Sequence, residues 1–152
     1  MTTPETTSTP NPAGRRALQV VLAALALVPM LTGLMAVVFG AAGWPYNDTA
    51  ASAALDSEFR FLNALWFCLG LAACFLIPRV ERETVLLRVI LGAIFLGGLA
   101  RLLSAAALGW PGPIHLGALG IELIGAPALI YWQSRVAAAS GRSELRDETL
   151  HP

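Results

Sequence analysis

The sequence predicts an all-α protein, an antiparallel four-helix transmembrane bundle with N-in and C-in topology. Three observations carry that expectation. Hydrophobic residues make up 56% of the 152 residues and charged ones only 13%, more apolar surface than a single water-soluble core would cover. Four apolar runs are each long enough to cross the ~30 Å hydrocarbon layer of a bilayer as a helix. The charged residues gather at the two ends and in short segments between the runs, where water would be.

Residues 1–14 are rich in Thr and Pro with almost no apolar content, which predicts a disordered N-terminal tail. The first apolar run, 17–42, follows Arg15 and Arg16. It is longer than the roughly 7 to 15 apolar residues of a cleaved signal, so it reads as an anchor that stays. Pro29 lies inside it and should kink the helix. The connector carries Trp44, Pro45, Tyr46, Asn47 and Asp48, a mixture of interfacial aromatics and turn formers.

Helix two is expected over 56–77, opened by Asp56, Ser57 and Glu58, whose acidity suits a helix N-terminus, and stopped by Pro78. A charged hairpin with Arg79, Glu81, Arg82, Glu83 and Arg88 leads into helix three, 85–108. Gly109-Trp110-Pro111-Gly112-Pro113 forces a tight reversal into helix four, 114–132, so the last two helices are expected as antiparallel neighbours. Residues 15–134 thus form the transmembrane domain, and 135–152 a polar cytoplasmic tail. Trp132 and Gln133 read as an interfacial anchor at the helix end.

Arginines set the orientation, because basic residues are retained on the cytoplasmic face. The chain has ten Arg and no Lys, and eight of them (15, 16, 79, 82, 88, 135, 142 and 146) fall on the side that carries both termini. This predicts an inner (plasma) membrane location with both ends cytoplasmic and the lipid bilayer as the principal partner. Net charge is zero, so no global field argues for nucleic acid. Cys68 and Cys74, six residues apart in one apolar run, lie roughly 240° apart around a helix and cannot pair with each other. They read as small buried residues.

Two ionisable residues interrupt apolar spans, Arg101 in helix three and Glu122 in helix four, each costing about 2.5 to 3.5 kcal/mol at a membrane centre. Arg101 stands eight residues before Gly109 and Glu122 eight after Ile114. At about 1.5 Å per residue both lie about 12 Å from the turn, at one depth on adjacent helices. An Arg101–Glu122 salt bridge is therefore predicted in the outer half of the bundle. Ala93, Gly97, Arg101 and Ser104 share one face of helix three, and His115, Ala118, Glu122 and Gly125 one face of helix four. These small faces suit close packing or a narrow polar cavity. Glu58, Arg60 and Asn63 enter at the outer end of helix two and are candidates to complete the cluster.

The pair admits two readings: two charges that neutralise each other to fix helix register, or a functional pocket. His115 reads as an interfacial histidine. No metal-ligand spacing is present, and neither a metal nor a cofactor is expected. No nucleophile elbow, phosphate loop or zinc-protease helix occurs, which leans away from an enzyme.

Asp56-Ser57-Glu58-Phe59-Arg60-Phe61-Leu62, Phe95-Leu96-Gly97-Gly98-Leu99-Ala100-Arg101-Leu102-Leu103-Ser104, Gly109-Trp110-Pro111 and Glu122-Leu123-Ile124-Gly125-Ala126-Pro127 together resemble the bacterial membrane family of domain of unknown function 4345. The resemblance covers residues 17–136 and departs at Ala100, where the family pattern leads one to expect Gly. It implies a four-helix membrane protein without an assigned activity, and it marks Glu58, Arg60, Arg101, Ser104 and Glu122. The leading expectation is a non-enzymatic membrane protein whose outer-half polar cluster binds a small polar or amphiphilic ligand or a partner helix, with a homo-oligomer or partner membrane protein as the protein-level alternatives. Two other classes stay open: a proton-coupled carrier or channel subunit working through Glu122, and a membrane-embedded enzyme acting on a lipid or quinone, with Glu122 or His115 as acid or base.

Overall fold

A computed structural model describes residues 12–44 and 50–150, the side chains of 142–150 excepted. Of the predicted N-terminal tail, residues 1–11 lie outside the described residues, as do the connector residues Pro45, Tyr46, Asn47 and Asp48. Among the described residues the elements are α1 (Pro12–Phe39), α2 (Ala53–Leu76) with a 3₁₀ turn (Ile77–Arg79), α3 (Thr84–Leu108), α4 (Pro113–Gly120), a π-helical turn (Ile121–Gly125) and α5 (Ala126–Leu150), with no strand. They make up four helical spans long and apolar enough to cross a membrane. At most 28% of each apolar stretch is buried, and large side chains such as Phe75, Val85, Leu103 and Ile124 stand exposed. Water would not tolerate that much apolar surface, whereas lipid covers it; the chain is compatible with a multi-pass membrane protein.

Several helix ends differ from expectation. Pro12, Ala13 and Gly14 form the first turn of α1 rather than the end of a tail. Proline suits that position because its missing N–H would be unbonded there in any case. At the other end α1 stops at Phe39, three residues short of the predicted limit, because Gly40 turns into the left-handed region at φ 70°. Helix two opens three residues earlier than expected, on Ser52, whose hydroxyl accepts from the Leu55 N–H at 3.2 Å. Helix four does not end at Trp132; α5 runs on to Leu150. Leaving an apolar layer does not stop a helix, and Ala137, Ala138, Ala139, Glu144, Leu145 and Arg146 are good helix formers.

The described residues divide into two compact units, one within 19–78 and the other made of 79–150 with 12–18. In the first unit α1 and α2 meet through glycine. A Cβ on Gly33 would stand 2.8 Å from the Asn63 carbonyl oxygen, and one on Gly70 would stand 2.8 Å from Met30 Cγ and 3.0 Å from the Ala26 carbonyl. Backbones approach this closely only where side chains are absent. Trp66 Nε1 donates to the Thr32 hydroxyl at 3.2 Å, and that hydroxyl donates to the Val28 carbonyl at 2.7 Å. Gln19 Nε2 reaches the Ile77 carbonyl at 3.0 Å, at the end of α2 where Pro78 interrupts the helix. Trp44 packs edge-on against Phe59, ring centroids 5.7 Å apart.

In the second unit α3 packs against α4, the π turn and α5 around Leu87, Ile90, Leu91, Ala105, Leu119, Ala126 and Leu129, all buried. Gln133 is fully buried, not an interfacial anchor. Its Nε2 donates to the Val80 carbonyl at 3.0 Å and its Oε1 accepts from Arg88 Nε at 3.2 Å, so both ends of a buried amide are satisfied. Arg15 pairs with Glu81 at 2.9 Å, which ties the start of α1 to the charged hairpin before α3.

Candidate functional site

Arg101 projects from α3 and Glu122 from the π turn, and the two meet. Arg101 Nε donates to Glu122 Oε1 at 3.0 Å. Glu122 Oε2 lies at the same 3.0 Å from Nε but off the N–H direction, buried and without a hydrogen bond among the described residues. The pair is unevenly covered: the Glu122 side chain is 9% exposed and that of Arg101 46%. Among the described residues Glu122 is the one partner of Arg101. The carboxylate holds the guanidinium by its inner nitrogen, and the two outer nitrogens, with four N–H groups, have no partner among the described residues.

The close fit beneath the pair comes from Gly98, one turn before Arg101. A Cβ there would stand 2.9 Å from Glu122 Cβ and 3.0 Å from Leu123 Cδ2. Any other residue there would force Glu122 or Leu123 to shift. The π turn is the second local device, in the stretch 114–132 that the apolar pattern predicts as one α-helix. The Ala126 N–H donates to the Ile121 carbonyl, five residues back instead of four. The signal was present in Pro127. Proline has no N–H to give the Leu123 carbonyl, and in an unbroken α-helix its ring would strike that carbonyl.

The other candidate residues find their bonds nearer home. Arg60 was expected to help complete the cluster around Arg101 and Glu122; its bonds lie inside its own hairpin. Its Nε meets Asp56 Oδ2 at 2.7 Å, and Nη1 donates to the carbonyls of Val37 and Val38, in the last turn of α1. Asp56 Oδ1 accepts from the Ala41 N–H at 2.7 Å. Together they cap α1: a cation on its free carbonyls and an anion on the N–H beyond, each matched to the partial charge it meets. Gly40 lies under both side chains, and a Cβ on it would overlap Arg60 and Asp56.

Asp56 was not among the predicted site residues, although the acid-to-arginine spacing of four on one helix was there to read. Asn63 bonds back to the Phe59 carbonyl at 2.8 Å on its own helix, and Glu58 is exposed. Ser104 is exposed on α3, three residues past Arg101, and His115 is half-buried in the first turn of α4. Cys68 and Cys74 are unpaired thiols, Cys68 exposed and Cys74 half-buried with its Sγ 3.6 Å from Met30 Sδ. Among the described residues no three His, Cys, Asp or Glu side chains gather as a metal site would need.

A family model described as Domain of unknown function (DUF4345) matches residues 17–133. The chain belongs to this family. The match takes in most of α1, all of α2 and α3, and the last span as far as Gln133, so the Asp56–Arg60 cap, the Arg101–Glu122 pair and the π turn all lie inside the DUF4345 region. No curated protein and no solved structure matches the chain.

Proposed function

We propose that this DUF4345 protein is a non-enzymatic, multi-pass protein of the inner membrane whose Arg101 binds the oxygen-bearing head of an amphiphile from within the bilayer. Antiparallel helices with both ends cytoplasmic are part of the reading. The contacts Arg88 with Gln133 and Arg101 with Glu122 support the antiparallel course of the last hairpin, since one number falls as the other rises. The eight arginines on one side support the orientation.

The observation that carries the binding reading is the uneven cover of the pair, 9% for the acid against 46% for the arginine. A purely structural pair inside a membrane would bury both ends, because an exposed guanidinium there is costly and cannot shed its proton. Here the acid is enclosed and the arginine is turned out. Glu122 already balances the charge, so the unpartnered N–H groups call for acceptor oxygens rather than for a net anion. Ester carbonyls of a lipid, or similar oxygens on a small amphiphile, meet that need.

The test uses the full chain in nanodiscs of diester phosphatidylcholine or of diether phosphatidylcholine, which lacks the carbonyls. Retained lipid is counted by native mass spectrometry after transfer to detergent. The wild type is expected to hold diester lipid in preference to diether, and Arg101→Gln to lose that preference. Equal retention of both lipids by the wild type overturns the reading. A partner helix could supply the same acceptor oxygens, a second reading favoured by the exposed small residues Ala93, Gly97 and Ser104 beside Arg101. It would appear as a second chain held by the wild type and released by Arg101→Gln.

A further inference from the structure

The Arg101–Glu122 contact depends on a turn that contains one residue more than an α-helix would place there. An inserted residue rotates the helix before it by about 100° and shifts it by about 1.5 Å relative to the helix after it. Such π turns recur at functional positions in helices. Two features decide which part of the last span absorbs that rotation.

α5 is held: Gln133 is fully buried and bonded to Val80 and Arg88. α4 is short, reached through a glycine-rich turn, and its Gly117 and Gly120 have open space where a side chain would be. The rotation therefore falls on α4 and on the start of the π turn, where Glu122 sits. Without the extra residue, the position over Gly98 that Glu122 now fills would pass to Leu123. The carboxylate would swing off the guanidinium.

We infer that Pro127 is the positioning residue of this site: by denying the Leu123 carbonyl its α-helical donor and crowding it, Pro127 fixes the π turn and so aims Glu122 at Arg101. The inference rests on the reading of Arg101 and Glu122 as the binding site, and it gives the stretch from Glu122 to Pro127 one physical task. The acid is the group and the proline is what sets its register, five residues away on the same chain. Neither residue accomplishes the contact alone.

The experiment is a double-mutant cycle on thermal unfolding of the full chain in detergent, using Arg101→Gln, Glu122→Gln and both together. It is run in three backgrounds: the natural sequence, Pro127→Ala, and Pro127→Ala with Ile124 deleted. The natural sequence should show coupling between positions 101 and 122. Pro127→Ala lets the turn close to an α-helix, and the coupling should disappear. Deleting exposed Ile124 removes the extra residue itself, so the α-helical variant regains the original register and the coupling should return.

A general loss of stability would lower all melting temperatures without this loss and return. If Pro127→Ala fails to fold, the deletion variant still decides, because it needs no π turn. Undiminished coupling in Pro127→Ala, or no coupling in the deletion variant, overturns the inference. The diester preference is read separately in the same three backgrounds. Its absence from the wild type, with the coupling behaving as described, overturns the binding reading and leaves the register assignment standing.

Discussion

Each helical hairpin carries an arginine and an acid in apolar sequence, and the two hairpins use them differently. Asp56 and Arg60 lie one turn apart on α2 and meet the end of α1, where free carbonyls and a free N–H await partners. Arg101 and Glu122 come from two elements and meet away from the ends of the long helices α3 and α5. The first arginine therefore finds acceptors in its own hairpin, and the second finds one carboxylate and points outward. The same two side-chain types give a cap in one place and, in the function proposed above, a residual binding capacity in the other. What decides is whether a helix end lies within reach.

The sharpest way to break this comparison is Gly40→Val. A branched side chain would need a left-handed backbone and would overlap Arg60 and Asp56, so a loss of about 3 kcal/mol or more is expected in detergent unfolding. Unfolding like that of the wild type would mean the cap does not rely on bare backbone. Next in size is Gln133→Leu, which fills similar space but leaves the buried Val80 carbonyl without its donor. About 2 kcal/mol should be lost. An unchanged melting curve would remove the anchor assigned to α5.

The smallest effect sharpens the contrast most. Arg60→Gln strips a helix end of its cap and should cost about 1 to 2 kcal/mol. Arg101→Gln, which leaves the enclosed Glu122 carboxylate without its cation, should cost a comparable amount while abolishing the lipid preference, which Arg60→Gln should leave intact. Loss of the lipid preference in both variants, or in neither, would erase the distinction between cap and site.

Helix number was legible because apolar runs of this length are what a bilayer span demands, and the four runs reappear as four helical spans. The Arg101–Glu122 contact was legible for a geometric reason: a short turn fixes the relative depth of residues on either side of it. Arg60 was harder, since sequence placed it at the outer end of helix two without saying that the end of α1 would compete for it. Gln133 was misread because a polar residue at the close of an apolar run suggests an interface, and nothing local announces the Val80 carbonyl it serves. The π turn was hidden by an averaged helical period, and only the backbone chemistry of Pro127 could have exposed it. The extension of α5 is invisible to hydropathy, because the end of an apolar run is not the end of a helix.

The caps of the first hairpin are exchanged between its helices. Arg60 of α2 finishes α1, and Gln19 of α1 reaches the carbonyl of Ile77 just past α2. During synthesis α1 emerges well before Arg60, so its last carbonyls must borrow water or other donors until α2 arrives. Lateral release of α1 alone into lipid is therefore expected to be unfavourable. The piece that leaves an insertion machine together should be the whole hairpin, delivered with both of its ends already closed.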